Sequence, residues 1–126
     1  MIVDTDVLIW YSRGHQKAID VVHSLDGFSL SVVTYMEIAQ GVRNKKELHW
    51  FKKALRTLNA QVIHIDELIS TKAMLYVEQY ALSHAMELAD ALIGASAVVN
   101  QLPLLTGNEK HYKHLPDLTI QRFLPE

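Results

Sequence analysis

Four polar residues stand close to the ends of apolar segments, and their side chains are of the types that bind hard cations. Asp4 follows the apolar run Met1–Val3, and Asn108 follows another short apolar run. Glu37 and Asp90 lie in stretches with helical spacing. Carboxylate and amide oxygens are the ligands that Mg²⁺ and Mn²⁺ prefer. If folding brings the four together, they predict a site for one or two such ions.

Each of these residues also has an ordinary explanation when it is taken alone. Asp4 could begin a turn, Glu37 could be a solvated helix residue, and Asn108 could cap a short helix. Asp90 could complement a helix dipole, which is worth about 0.3–1 kcal/mol. As a group, however, two carboxylates about 4 Å apart would repel by about 4 kcal/mol at an effective dielectric near 20. A cluster of these acids would therefore need a cation or a bound proton.

Short apolar strand candidates alternate with helical patterns along the chain. This alternation predicts an α/β sandwich with a central, mostly parallel sheet. Ligands of such sheets bind beyond the carboxyl ends of the strands, which is where Asp4 lies. The predicted strands are Met1–Val3, Phe28–Val32, Gln61–Ile65, Leu104–Thr106 and a weak Leu118–Gln121.

Apolar residues at helical spacing predict helices between the strands. Asp66 is a suitable N-cap for the third of these helices. The segment Leu88–Val99 is apolar on nearly all sides, and its single charge, Asp90, falls in the predicted first turn. The three apolar stripes are Ala18, Val21, Val22 and Leu25; Leu48, Phe51, Leu55 and Leu58; and Ile69, Ala73, Tyr76 and Tyr80.

Composition places the chain among ordinary globular proteins. Its 126 residues predict one domain, 1–126, and 49% hydrophobic content excludes a disordered chain. The absence of cysteine excludes disulfides and zinc–thiolate sites. No signal peptide or membrane-spanning run is recognisable, so we expect a cytoplasmic protein without a membrane partner.

The net charge of −2 does not indicate a nucleic-acid-binding protein, but the basic residues are unevenly distributed. Six of the twelve fall within a single stretch of the chain. This cluster is either a solvated helix face or a patch that contacts phosphates. Its members are Arg43, Lys45, Lys46, Lys52, Lys53 and Arg56.

Four segments together resemble the successive motifs of the PIN-domain family, and more narrowly the VapC-type ribonuclease toxins of type II toxin–antitoxin modules. They are IVDTDVLIW, VTYMEIAQGVR, LADALIGASAVV and LLTGNEKHYKHLPDLTI. The resemblance covers essentially the whole chain. It implies a three-layer α/β/α fold and a metal-dependent endoribonuclease, in which a carboxylate-bound Mg²⁺ or Mn²⁺ activates water to hydrolyse RNA.

Carried over by position, the resemblance assigns Asp4, Glu37 and Asp90 as the metal-binding carboxylates. Asn108 takes a fourth position where many relatives carry Asp. An amide ligates a metal more weakly than a carboxylate and brings no charge, so it reduces the support for a second ion, although Glu109 could partly substitute. Asp6 is expected to be an auxiliary ligand.

Further residues complete the predicted site. The hydroxyl groups of Thr5, Thr34 and Thr106 could fix ligands or water, or could serve as local caps. Contacts with the RNA backbone are expected from Arg43, Lys110 and Lys113. His111 and His114 stand three residues apart, but no third ligand is evident, and RNA contact or plain surface is the favoured interpretation.

The resemblance implies a cognate VapB-type antitoxin and a homodimer. Trp50, Phe51, Tyr76 and Tyr80 could serve an interface or the core. Two other functions stay open at this point. One is a PIN-like module that binds RNA or protein with impaired catalysis. The other is a haloacid-dehalogenase-type phosphatase, whose opening motif would use Asp4 and Asp6.

Overall fold

The computed structural model describes residues 1–126 and is built on one sheet of five parallel strands. In chain order the strands are β1 (Ile2–Val3), β2 (Phe28–Ser31), β3 (Ala60–Ile63), β4 (Leu104–Thr106) and β5 (Ile120–Arg122). Their order across the sheet is β3-β2-β1-β4-β5. The order reverses at β1, because the chain adds β2 and β3 on one side and β4 and β5 on the other.

Helices cover both faces of this sheet, and a short 3₁₀ turn, Glu109–His111, follows β4. The predicted three-layer α/β/α sandwich with a parallel sheet is therefore confirmed. The helices are α1 (Thr5–Ser12), α2 (Gln16–Ser24), α3 (Val32–Gly41), α4 (Lys45–Thr57), α5 (Glu67–His84) and α6 (Leu88–Val99).

Alternation along the strands divides the apolar core into two clusters. Ile2 of β1 and Leu104 of β4 belong to the cluster that packs against α5 and α6. Their neighbours Val3 and Leu105 belong to the cluster that packs against α1, α2 and α4. Successive strand residues point to opposite faces, so a two-sided sheet needs consecutive apolar residues. This explains why the strands contain continuous apolar pairs.

The helix predictions agree well with the structure, whereas the strand ends differ by up to two residues. Helix α6 spans Leu88–Val99 as predicted, and the Asp66 carboxylate caps α5 by accepting from the Ile69 N–H at 2.9 Å. The predicted and observed strand ends differ because backbone hydrogen bonding, rather than apolar content, decides where strand pairing stops. The third strand begins at Ala60, for example, because it pairs with Phe28.

Helix α1 has no counterpart among the predicted elements. The run Val7–Trp10 is apolar at four consecutive positions and so lacks a helical period. The helix forms because Asp4 occupies its N-cap position, where its side chain accepts from the Thr5 N–H. None of the helices has the length and hydropathy that a membrane-spanning segment requires.

Candidate active site

Asp4 lies at the carboxyl end of β1, where the strand order reverses. It is 4% exposed, and both of its oxygens accept hydrogen bonds. Oδ1 accepts from the Thr5 N–H at 2.8 Å and from the Tyr112 hydroxyl at 3.2 Å. Oδ2 accepts from the Thr106 hydroxyl at 2.7 Å. Because Thr106 ends β4, the two neighbouring strands place these side chains side by side.

Burial changes the acidity of Asp4. Loss of solvation raises its pKa from 3.8 to about 6, and the nearby charge of Asp6 adds to the rise. The hydrogen bonds from Thr106, Thr5 and Tyr112 act in the opposite direction, because they stabilise the carboxylate. With a pKa of about 6 the side chain is mostly ionised at pH 7, and a positive charge beside it would stabilise the ionised form.

Asp90 reaches the same place from the first turn of α6. Its Oδ1 lies 3.3 Å from the Tyr112 hydroxyl, and its Oδ2 lies 3.4 Å from Nδ1 of His111. Burial raises the pKa of Asp90, and His111 opposes that rise. The Tyr112 hydroxyl thus stands between two carboxylates from different elements, Asp4 and Asp90. It has one proton and can donate to only one of them at a time.

Glu37 joins the group through Thr5. The Thr5 hydroxyl donates to Oε1 of Glu37 at 2.7 Å, and its oxygen lies 2.9 Å from the hydroxyl oxygen of Thr34. Thr34 is fully buried and lies one turn before Glu37 on the same face of α3. Since the N–H of Thr5 binds Asp4, one residue holds two of the predicted carboxylates.

Asp6 bonds to the loop after β4, and Asn108 lies in that loop. Oδ2 of Asp6 accepts from the Gly107 N–H at 2.9 Å, while its Oδ1 is buried without a hydrogen-bond partner. Burial raises the pKa of Asp6, and the Gly107 N–H opposes the rise. The Asn108 N–H donates to the Thr106 hydroxyl at 2.9 Å, and its side chain forms no capping bond. The Gly107 N–H thus orients the Asp6 carboxylate, which shares no hydrogen bond with Asp4.

Glu109 is the predicted acid that lies outside this network. Its Oε2 lies 2.7 Å from Nε of Arg122, so an ion pair already engages the carboxylate. Two of the predicted RNA contacts, Lys110 and Lys113, are exposed on the neighbouring turn. The third, Arg43, pairs with Glu47 at 2.6 Å.

A cleft of about 840 Å³ extends from the network along the surface between α1, α3 and α4. Glu37 and Arg43 both line it, and so does Trp50, which is 47% exposed. Phe51 also borders the cleft but is buried, as is Tyr76. Of the four aromatic residues considered for an interface or for the core, Trp50 is therefore the one that presents a large open surface.

The two histidines near Asn108, His111 and His114, have different neighbours. His111 faces Asp90, whereas Nε2 of His114 lies 3.4 Å from Sδ of Met86 and its ring stacks on His84. Burial and the neighbouring His84 lower the pKa of His114. His111 is thus the one that reaches the carboxylate network.

Tyr112 is the residue of this network that sequence reasoning missed. It directly follows the 3₁₀ turn, between the polar residues His111 and Lys113, and its ring is fully buried. A tyrosine at a core position gives no signal of where its hydroxyl points, because the pattern is the same as for phenylalanine. Only the meeting of β1, α6 and the loop after β4 shows that the hydroxyl lies between carboxylates.

The donor set suits a hard divalent cation by its chemistry. As the side chains stand, no three of the Asp, Glu and His residues are placed to hold one metal ion together. The acids are instead joined by neutral hydroxyl groups, and one buried oxygen of Asp6 has no partner. Oxygen-bearing side chains, raised carboxylate pKa values and an unpartnered buried oxygen are chemically suited to Mg²⁺ or Mn²⁺.

Comparison with known proteins identifies the family. The PIN domain model matches residues 1–117. The chain belongs to the PIN domain family. This confirms the resemblance found in the sequence motifs, and it leaves the phosphatase alternative without support.

Relatives of this PIN domain chain include Ribonuclease VapC1 of Methanocaldococcus jannaschii. It is 26% identical over 125 residues, which is 96% of this chain and 85% of that protein. A toxin-antitoxin complex from Klebsiella pneumoniae contains a chain of the same fold, with a TM-score of 0.75 and 24% identity over 99% of this chain and 97% of that one. DNA-bound VapBC from Salmonella typhimurium gives a TM-score of 0.79, with 17% identity over 96% of each chain.

Proposed function

We propose that this protein is a metal-dependent endoribonuclease and the toxin of a VapBC-type toxin–antitoxin pair. The observation that carries the proposal is the network centred on Asp4, which joins the carboxylates of Glu37 and Asp90 through Thr5 and Tyr112. Support from outside the site comes from PIN family membership and from the relative named Ribonuclease VapC1.

Asp4, Glu37 and Asp90 would hold Mg²⁺ or Mn²⁺, with Asp6 and Asn108 close by. When bound, such an ion supplies positive charge against a phosphate group and makes a nearby water more acidic. The chain's own residues have distinct tasks. Thr106 and the Thr5 N–H keep the Asp4 carboxylate oriented, and Lys110 and Lys113 would contact the RNA backbone from the adjacent turn.

A VapB-type antitoxin is the proposed partner, because several proteins of this fold come from toxin–antitoxin complexes. The cleft between α1, α3 and α4 borders Glu37 and offers apolar and charged side chains together. A protein segment bound there would stand beside the carboxylates. We further propose that the toxin is a homodimer, as the VapC resemblance implies.

The test is cleavage of end-labelled RNA by antitoxin-free protein in Mg²⁺, Mn²⁺ or EDTA. Asp4→Asn and Asp90→Asn should each lower the cleavage rate at least about a hundredfold. Each substitution removes the negative charge of a proposed metal ligand and keeps the shape of the side chain. Asp117→Asn is the matched control, since Asp117 is exposed and lines a separate surface cavity. Cleavage that persists in EDTA or in both site variants would exclude the proposed mechanism.

The binding-module alternative predicts a different pattern. A PIN-like protein with impaired catalysis would bind RNA or protein equally well with and without the Asp90 carboxylate, and wild type would not cut RNA in either metal. RNA binding by wild type and Asp90→Asn, measured beside cleavage, separates that function from the nuclease.

A further inference from the structure

Tyr112 is the only side chain in the structure whose polar group contacts both Asp4 and Asp90. Its hydroxyl oxygen lies 3.2 Å from Oδ1 of Asp4 and 3.3 Å from Oδ1 of Asp90. Tyr112 is fully buried, so water does not reach its hydroxyl group past the ring. A neutral hydroxyl persists there, because burial and the two carboxylates raise the pKa of Tyr112.

Gly94 lets Leu115, three residues after the tyrosine, pack closely against α6. It follows Asp90 by four residues and so lies on the same helix face. A Cβ at this position would lie 2.7 Å from Cδ1 of Leu115 and 3.6 Å from Cδ1 of Tyr112. The missing side chain therefore leaves the space into which the segment after the 3₁₀ turn packs.

The two carboxylates differ in how firmly they are held. Asp4 has the Thr5 N–H and the Thr106 hydroxyl in addition to Tyr112. Apart from Tyr112, Asp90 contacts only His111, whose side chain is 43% exposed and lies 3.4 Å away. Without the tyrosine hydroxyl, whose one proton bonds one carboxylate at a time, Asp90 would lose its one buried partner and the group that lies between it and Asp4.

We propose that Tyr112 is a positioning residue, which fixes Asp90 relative to Asp4 and thereby sets the affinity of the site for a divalent cation. This inference rests on the proposed metal-dependent function. A carboxylate oxygen has two lone pairs, so the hydroxyl can remain bonded while the carboxylate also binds an ion. Partners of this kind typically change metal affinity 10–100-fold, because they orient the ligand before binding.

The experiment measures Mn²⁺ binding to the free protein, without RNA, by the electron paramagnetic resonance signal of unbound Mn²⁺. Tyr112→Phe keeps the ring and removes only the hydroxyl, and we expect the Mn²⁺ dissociation constant to rise about tenfold. In the RNA assay, the Mn²⁺ concentration for half-maximal cleavage should rise equally. The rate at saturating Mn²⁺ should fall less than about threefold, because the ligands themselves remain.

Tyr76→Phe is the matched control. Tyr76 is also buried, but its hydroxyl has no hydrogen-bond partner, so its removal should leave Mn²⁺ binding unchanged. Thermal unfolding of each variant checks that it is folded at the temperature of the assay.

The outcomes separate this inference from the proposed function. If wild type binds Mn²⁺ and Asp4→Asn does not, the metal site is supported whatever Tyr112 does. Wild-type affinity in folded Tyr112→Phe would then overturn the positioning role alone. If wild type binds no Mn²⁺, both the metal site and the role of Tyr112 are overturned.

Discussion

The acids at the carboxyl ends of β1 and β4 and the bases on α4 are the two concentrations of charge in this protein, and they have opposite surroundings. Asp4 is buried and receives three hydrogen bonds, which nevertheless leave its pKa raised to about 6. The basic residues of α4 are exposed, with their charges in water. The first region depends on the fold for its properties, whereas the second would behave similarly on any exposed helix.

This difference indicates where each region can act. A buried carboxylate is costly unless a cation or proton accompanies it, so its position is expected to follow from function rather than from stability. Exposed lysine residues cost little and contribute little to stability, yet they attract phosphates over a distance set by ionic strength. The comparison predicts large effects at the acids and small ones at the bases.

The largest effect on stability should come from Asp4 in metal-free protein. Its folded pKa of about 6 exceeds the ordinary value of 3.8, so the folded state binds the proton more tightly than the unfolded chain. In EDTA, the free energy of unfolding should therefore fall as the pH rises from about 4 to about 7, by roughly 2–2.5 kcal/mol.

Asp4→Asn should remove most of this pH dependence and raise the stability of metal-free protein at pH 7 by about 2 kcal/mol. Urea unfolding at several pH values measures both effects, with Asp117→Asn as the exposed control. A wild-type stability that rises over the same pH range, or a less stable Asp4→Asn protein at pH 7, would contradict the conclusion that burial makes the Asp4 carboxylate costly.

Gly107→Ala should have the next largest effect, because it disturbs the partner of Asp6 without changing any charge. A Cβ there would lie 2.5 Å from Oδ2 of Asp6 and 3.2 Å from the carbonyl oxygen of Phe123. We expect a loss of about 1–3 kcal/mol in unfolding free energy, as the hydrogen bond between Gly107 and Asp6 is strained.

Gly41→Ala is the control for this substitution. Gly41 is the last residue of α3, and no atom lies within 4 Å of the added Cβ. It should be neutral or slightly stabilising. Equal effects of the two substitutions, measured by thermal unfolding, would show that the close approach of Gly107 to Asp6 has no energetic consequence.

The smallest effects are expected from the bases, and a pair of double variants compares them. Lys110→Ala with Lys113→Ala removes two charges beside the carboxylates, and Lys52→Ala with Lys53→Ala removes two from α4. The first pair should raise the dissociation constant for RNA about three- to tenfold and reduce its salt dependence, with cleavage at saturating RNA unchanged. The α4 pair should change binding less than twofold. A larger rise in the RNA dissociation constant for the α4 pair than for the Lys110 and Lys113 pair would indicate that RNA binds at α4.

Much of the fold was predictable because its signals are local. Strands buried on both faces are continuously apolar, and α6 is apolar on all sides, so both are recognisable in the sequence. Asp66 caps α5 as predicted. Helix α1 was missed because its apolar run has no helical period, and its N-cap, Asp4, was recognised for its possible chemistry rather than for capping.

The candidate site was predictable only in part. Asp4, Glu37, Asp90 and Thr106 were identified from residue type, position and motif order, and the structure joins them in one network. Glu109 was considered as a substitute ligand, but the structure pairs it with Arg122. That ion pair depends on the parallel pairing of β4 with β5, which no local pattern reveals.

The sequence by itself determined which residues carry side-chain oxygens near the ends of apolar segments, in what order they occur, and that strands alternate with helices. Only the tertiary structure decided that the Tyr112 hydroxyl lies between Asp4 and Asp90, and that Leu115 packs into the space that Gly94 leaves on α6. The physical reason is the range of the interactions. Capping and periodicity act within a few residues, whereas Asp4 and Tyr112 are 108 positions apart and meet only when the sheet has formed.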